Sequence, residues 1–221
     1  SLGYYLAQNQ QLDSTLVYYY QALDAIQKRE GEKSERYASV LNNIGNVYIR
    51  KGDLKKAEQI HQKTLEIRLE VLDADDPGIA QSYMNIAELY SNKGFYNEAN
   101  DLLKKSLNIY LKKYGVSDYR VANVYNHIGN NFQKVDQLDS AFFYLKKGAE
   151  TRVSVYGEQH VYVGYSYINL GALYNRMHEI DEAIEYNDRA VEIIEKALGV
   201  EHPLLALPYD NLGINYSAKG N

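Results

Sequence analysis

The sequence repeats itself, and the repeat limits what the chain can become. Written in rows of 42 without a gap, the 221 residues align Ile44, Ile86, Ile128, Leu170 and Leu212 in one column and Gly45, Ala87, Gly129, Gly171 and Gly213 in the next. Leu2 and Gly3 extend the same two columns backwards. Small residues recur as Ala57, Ala99, Ala141, Ala183 and as Ala22, Thr64, Ser106, Gly148, Ala190. A second glycine column holds Gly31, Gly115, Gly157 and Gly199 with Asp73 in the remaining row, and a third holds Gly52, Gly94 and Gly220. Most of the 15 glycines therefore punctuate a period rather than fill loops. A fixed period of this size means one supersecondary unit per row, each too small to bury its own apolar face and so stacked on its neighbours.

Each row reads as two amphipathic helices. Leu41, Ile44, Gly45 and Tyr48 follow the i, i+3, i+4, i+7 spacing of one buried helical stripe. Gly52-Asp53 breaks that helix, and Ala57, Ile60, Thr64, Leu65 and Ile67 open a second. The Gly31/Gly115/Gly157/Gly199 column predicts left-handed C-terminal caps. Asp76-Pro77 and His202-Pro203 follow, with proline at the first helical position, where its missing N–H has no partner to lose. The small columns predict close approach of the two helices within a unit. The expected fold is all-α, a solenoid of stacked antiparallel helix pairs in units of about 1–38 (partial), 39–80, 81–122, 123–164, 165–206 and 207–221 (partial). Ser1 falls inside a first helix and Asn221 in the turn after another, which reads as a fragment of a longer protein. The last helix, with Leu207, Tyr209, Leu212 and Tyr216, then has no second helix of its own, and a cap, a further repeat or self-association would cover its stripe.

The columns resemble the tetratricopeptide repeat, whose aromatic, Leu, Gly, Tyr pattern on the first helix and Ala, aromatic, Ala pattern on the second are matched by Tyr167, Leu170, Gly171, Tyr174, Ala183, Tyr186 and Ala190. Asn169-Leu170-Gly171 and Gly199-Val200-Glu201-His202-Pro203 are similar to the longer, 42-residue variety found in kinesin light chains and bacterial regulatory proteins. Asp136 and His178 depart from the usual turn glycine, and Tyr119 and Val161 from the usual proline. The resemblance implies a right-handed superhelix that holds a protein, or an extended or helical peptide, on its concave face. It also implies a second possibility: the regulatory arm of a larger bacterial enzyme or regulator, such as a caspase-like CHAT protease, a histidine kinase or a transcription regulator.

Composition narrows the chemistry. With no cysteine there is no disulfide, thiolate metal site or cysteine nucleophile, which fits a reducing, cytoplasmic setting. His61, His127, His160, His178 and His202 show no metal-ligand spacing, and no phosphate-cradling or nucleophile-elbow motif occurs, so neither a metal, a cofactor nor catalysis is expected. Asp73, Asp75 and Asp76 lack the later residues of a calcium loop and read as a solvated loop ending in an N-cap. A net charge of -5 argues against nucleic acid, and no apolar run is long enough to cross a membrane.

The expected binding surface is the inner stripe of the first helices. It comprises Ser39, Asn42, Asn43, Asn46, Ile49 and Arg50; Gln81, Met84, Asn85, Glu88, Ser91 and Asn92; Asn123, Asn126, His127, Asn130, Gln133 and Lys134; and Tyr165, Ile168, Asn169, Ala172, Asn175 and Arg176. One column is nearly uniform: Asn43, Asn85, His127, Asn169, Asn211. A carboxamide both donates and accepts, so such a ladder can grip the backbone of an extended peptide; equally, it can satisfy neighbouring protein groups. The resemblance favours the first use, since related repeats hold peptide backbone with asparagines at this position. Arg50, Lys134 and Arg176 form a cationic column suited to an acidic or C-terminal group, or simply to the helix dipole. Tyr165, Ile168 and Ala172 form an apolar patch that a ligand side chain or an adjacent helix would cover. Of the 23 tyrosines, Tyr83, Tyr125, Tyr167, Tyr209 and Tyr48, Tyr90, Tyr174, Tyr216 occupy two packing columns, which leaves Tyr165 as the tyrosine outside them on the inner face.

Overall fold

The computed structural model describes residues 2–220, with side chains from residue 11 onward. Ser1, Asn221 and the side chain of Leu2 lie outside what the structure describes, so the backward extension of the columns to Leu2 and Gly3 rests on the sequence. Two compact units divide the chain, Ser1–Ile109 and Tyr110–Asn221. The first contains α1 (Leu2–Glu30), α2 (Glu35–Lys51), α3 (Leu54–Val71), α4 (Pro77–Asn92) and the larger part of α5 (Tyr96–Tyr114). The second contains α6 (Tyr119–Lys134), α7 (Leu138–Tyr156), α8 (Val161–Arg176), α9 (Ile180–Leu198), a 3-10 turn at Pro203–Leu205 and α10 (Ala206–Lys219). No strand occurs among the described residues. Consecutive helices pack on one another: α2 on α3 and α3 on α4 in the first unit, and α6 on α7, α7 on α8 and α8 on α9 in the second. This is the all-α solenoid of stacked helix pairs that the period demands.

The small columns are where the paired helices touch. A Cβ added at Gly45 would stand 2.6 Å from His61 Nε2, one at Gly129 2.7 Å from Leu145 Cγ, and one at Gly171 2.4 Å from Asn187 Nδ2. Ala57, Ala99, Ala141 and Ala183 are wholly buried on the second helices. Gly213, in the same column on α10, meets nothing within 4 Å among the described residues.

The turns follow the punctuation with one correction. Gly52 closes α2 in the left-handed region (φ 78, ψ 5), and where glycine is missing Asp136 and His178 adopt the same conformation at φ 59 and φ 63. Gly157 and Gly199, expected as left-handed caps, instead take φ 81, ψ 158 and φ 90, ψ 159. That mirror-extended region is open essentially to glycine alone, so the column is glycine for a stricter reason than a helical cap. The carboxylates of Asp53, Asp76 and Asp118 accept from the backbone N–H of Lys56, Gly78 and Arg120 at 3.2, 2.7 and 2.9 Å. The imidazoles of His160 and His202 cap in the same way through Nδ1, each at 3.2 Å. In the first row the chain runs straight through: α1 is continuous across Gln10-Gln11, which occupy the Gly52-Asp53 columns and carry no breaking residue.

Burial corrects two expectations. Leu212 is only 8% exposed, so it leaves the uncovered stripe of the last helix, whereas Leu207, Tyr209 and Tyr216 remain open at 59, 48 and 41%. Ile168 joins the core of the second unit with Leu145, Val163 and Ile194, so of the inner apolar trio only Tyr165 is exposed. In the second unit the tyrosine columns pack as rings: Tyr174 stacks on Tyr186 with centroids 5.3 Å apart, and Tyr167 meets the same ring edge-on at 5.5 Å.

Candidate functional site

In the second unit Asn123, Asn126, His127 and Asn130 recur at i, i+3, i+4 and i+7 of α6, and Tyr162, Tyr165 and Asn169 lie on α8. These two first helices, with Arg152 reaching in from α7, line a groove of about 300 Å³. Six of the residues singled out in the sequence meet there: Asn123, Asn126, His127, Asn130, Tyr165 and Asn169. A second recess of about 310 Å³, lined by Tyr119, Asn123, Arg152, Tyr156 and Tyr162, shares three of its walls. Its rim is aromatic: Tyr156 stacks on His160 at 4.5 Å and meets Tyr162 edge-on at 5.3 Å, and Tyr162 lies 6.5 Å from Tyr165.

The asparagines separate into two kinds. Asn126 is buried, and its amide oxygen accepts from both terminal nitrogens of Arg152 at 2.6 and 2.5 Å. Asn130 is exposed and Asn169 half-buried, and neither amide hydrogen-bonds to another described residue. His127 and Tyr165 are exposed beside them. The groove thus offers polar groups fit to hold a ligand beside an aromatic ring, a combination suited to binding.

Arg152 and Tyr156 escaped the sequence reading because they lie on the second helix α7, while Tyr119 and Tyr162 lie on the first helices α6 and α8 but outside the stripe drawn there. The arginine donates to Ser166 Oγ at 2.8 Å, Asn123 Oδ1 at 3.1 Å and the Tyr162 carbonyl at 3.3 Å. Burial draws its pKa downward, opposed weakly by Tyr156 and Tyr162. The signal that could have found it is the column itself, which reads Arg68, Tyr110, Arg152, Ile194: Tyr110 and Ile194 are buried at 1 and 0%, so an arginine there is a cation in a core position.

In the first unit, Asn43, Asn46 and Arg50 are exposed on α2 and Glu88 on α4. Asn85 is buried, accepts from Gln81 Nε2 at 2.8 Å and donates to Asn42 Oδ1 at 2.7 Å, so these two amides bridge adjacent helices. In the second unit Asn211 donates to Asn187 Oδ1 at 3.1 Å. The cationic column is uneven: Arg50 and Lys134 are exposed, but Arg176 donates to the Gln133 carbonyl and pairs with Asp136 at 2.8 Å. Among the described residues no group of three His, Asp or Glu side chains could hold a metal, and no helix is long and apolar enough to cross a membrane.

A search of curated protein sequences returns no match. Solved structures do resemble the chain. BtubC (BKLC) from P. vanneervenii superposes with a TM-score of 0.81 at 22% identity, over 95% of this chain and 84% of that one. Podosopora anserina repeats described as kinesin light chain TPR-like superpose at 0.72 and 18% identity, over 86% and 90%. A MamA protein superposes at 0.58 and 22%, over 86% and 84%. The family model for the tetratricopeptide repeat matches residues 1–70, 36–112, 78–152, 120–186 and 162–221, so every row of the period falls under it. Its helix pairs, its glycine contacts and this match together make the chain a member of the tetratricopeptide repeat family.

Proposed function

We propose that the chain is a non-catalytic, protein-binding scaffold whose second unit holds an extended or helical segment of a partner in the α6/α8 groove. One observation carries this reading: within a groove of about 300 Å³, Asn130 and Asn169 present amides not used by the fold, with the exposed ring of Tyr165 on the same wall. A peptide backbone supplies alternating donors and acceptors that carboxamides match whatever the side chains, and a tyrosine ring gives one partner side chain an apolar seat. In the first unit, Asn43, Asn46, Arg50 and Glu88 offer the same chemistry on α2 and α4.

The test places a photoreactive benzoylphenylalanine at position 130, and a control at exposed Lys147 on α7, in cells expressing the protein. A discrete cross-linked partner is expected from position 130 only, and it should vanish when Tyr165→Ala and Asn169→Ala are added to a variant that retains its helical circular dichroism. Equal cross-linking from both positions, or indifference to the two substitutions, would overturn the groove reading.

A further inference from the structure

Two arginines of the chain occupy one repeat column and are held by matching partners. Arg68 on α3 donates to the Gly78 carbonyl at 2.9 Å, to Ser82 Oγ at 3.0 Å and to Ser39 Oγ at 3.4 Å. Arg152 on α7 donates to the Tyr162 carbonyl, Ser166 Oγ and Asn123 Oδ1, each two rows further on than its counterpart. Two partners differ. Asn126 also accepts from both terminal nitrogens of Arg152, whereas its counterpart Asn42 accepts from Asn85 instead of Arg68. Arg68 also carries a carboxylate: Glu35 accepts from Nε at 3.3 Å and from Nη2 at 3.2 Å. The residue two rows beyond Glu35 is Tyr119. Among the described residues Arg152 has no carboxylate partner, and its Nε donates to nothing.

The space beside this guanidinium is open. Tyr119 and Arg152 together line the recess of about 310 Å³ that adjoins the groove. The nearby acids are occupied: Asp118 is held by Arg120 through two bonds of 2.9 Å, and Glu158 faces Arg189 at 3.7 Å. A half-buried guanidinium held only by neutral oxygens keeps its full charge in a poorly solvated site, and a carboxylate is the group that best fits its planar N–H edge.

We infer that Arg152 is a seat for a carboxylate delivered by the partner, which docks on the Nε edge in the place Glu35 fills on Arg68. This deepens the groove reading and rests on it for the identity of the carrier, a peptide segment bearing an acidic side chain or ending in its C-terminus. Tyr119, Tyr156 and Tyr162 wall the seat.

The whole chain is used for the test, with the Arg152 Nε–H signal followed by proton–nitrogen NMR and assigned by its loss in Arg152→Lys. N-acetylglutamate α-amide supplies a side-chain carboxylate, N-acetyltyrosine a terminal one, and N-acetylglutamine amide neither. Saturable movement of the signal is expected with one or both acids and none with the neutral amide; which acid saturates identifies the source. Tyr119→Glu should move the signal to its bound position without ligand and abolish the titration, while Tyr119→Phe should titrate as the parent chain does. A shift no more saturable than that of exposed Arg29 would overturn the seat, as would an unaltered titration in a folded Tyr119→Glu chain. If the acids titrate but cross-linking from position 130 fails, the seat stands and the groove reading falls. If cross-linking succeeds and the acids do not titrate, only the seat falls.

Discussion

His61→Leu should make the protein more stable and less sensitive to acid. The imidazole is wholly buried on α3 against Gly45, and neither ring nitrogen has a hydrogen-bond partner in the protein. Burial, with a smaller contribution from Arg68, pushes its pKa down to about 4. Near neutral pH the ring is uncharged folded or unfolded, so the cost there is only that of its unpartnered polar atoms, about 1–3 kcal/mol. As pH falls below the unfolded value of about 6.5, the unfolded state takes up a proton that the folded state refuses, and stability drops until the folded pKa is passed. With the folded value of about 4, the loss between about pH 7.5 and pH 5 is on the order of 2 kcal/mol. Leucine fits the position, since Leu145 makes the equivalent contact with Gly129. Urea unfolding followed by circular dichroism at both pH values should show His61→Leu gaining about 1–3 kcal/mol at the higher pH and roughly 2 kcal/mol more at the lower. A variant less stable than the parent at pH 7.5, or one with the same acid loss, would refute the reasoning.

Gly171→Ala should lose about 1–3 kcal/mol in urea unfolding, because the new methyl meets the buried Asn187 amide. Gly213→Ala, on a helix where nothing lies within 4 Å, should instead gain about 0.5–1 kcal/mol, so the two substitutions separate contact from helix propensity. His178→Gly relieves a positive φ and should raise the thermal midpoint, by the equivalent of about 1 kcal/mol. Gly157→Ala should cost about 1–3 kcal/mol, and a neutral result would mean that the mirror-extended turn can relax.

The fold was legible because period and packing are the same fact here: the column of Gly45, Gly129 and Gly171 marks the places where a second helix presses on the first. The left-handed turns at Asp136 and His178 were not legible in the same way: the sequence marked these residues only as departures from the turn glycine, and the repeat imposes the positive φ on them. The site was legible only in part. A stripe drawn on the first helices finds Asn130, Tyr165 and Asn169, but it cannot tell an amide open to a ligand from one held within the fold. Asn85 and Asn126 fall in the second group because a partner lies within bonding reach, Asn42 on the preceding first helix and Arg152 on α7. Arg152 itself was missed because it projects from a second helix, in a column whose members Arg68, Tyr110 and Ile194 are all buried. The exposed Leu207, Tyr209 and Tyr216 show the opposite case, an apolar stripe that the register anticipates but whose Leu212 turns inward.

The groove claim meets its most direct test in the side-chain amide signals of the asparagines. A peptide corresponding to the segment cross-linked from position 130 is added to the labelled chain, and the Nδ2 signals are compared. Asn130 and Asn169 are expected to shift together and saturate, with Asn85 and Asn187, held inside the fold, unmoved. Shifts confined to α10 around Tyr209 and Tyr216, with Asn130 and Asn169 unchanged, would contradict the account.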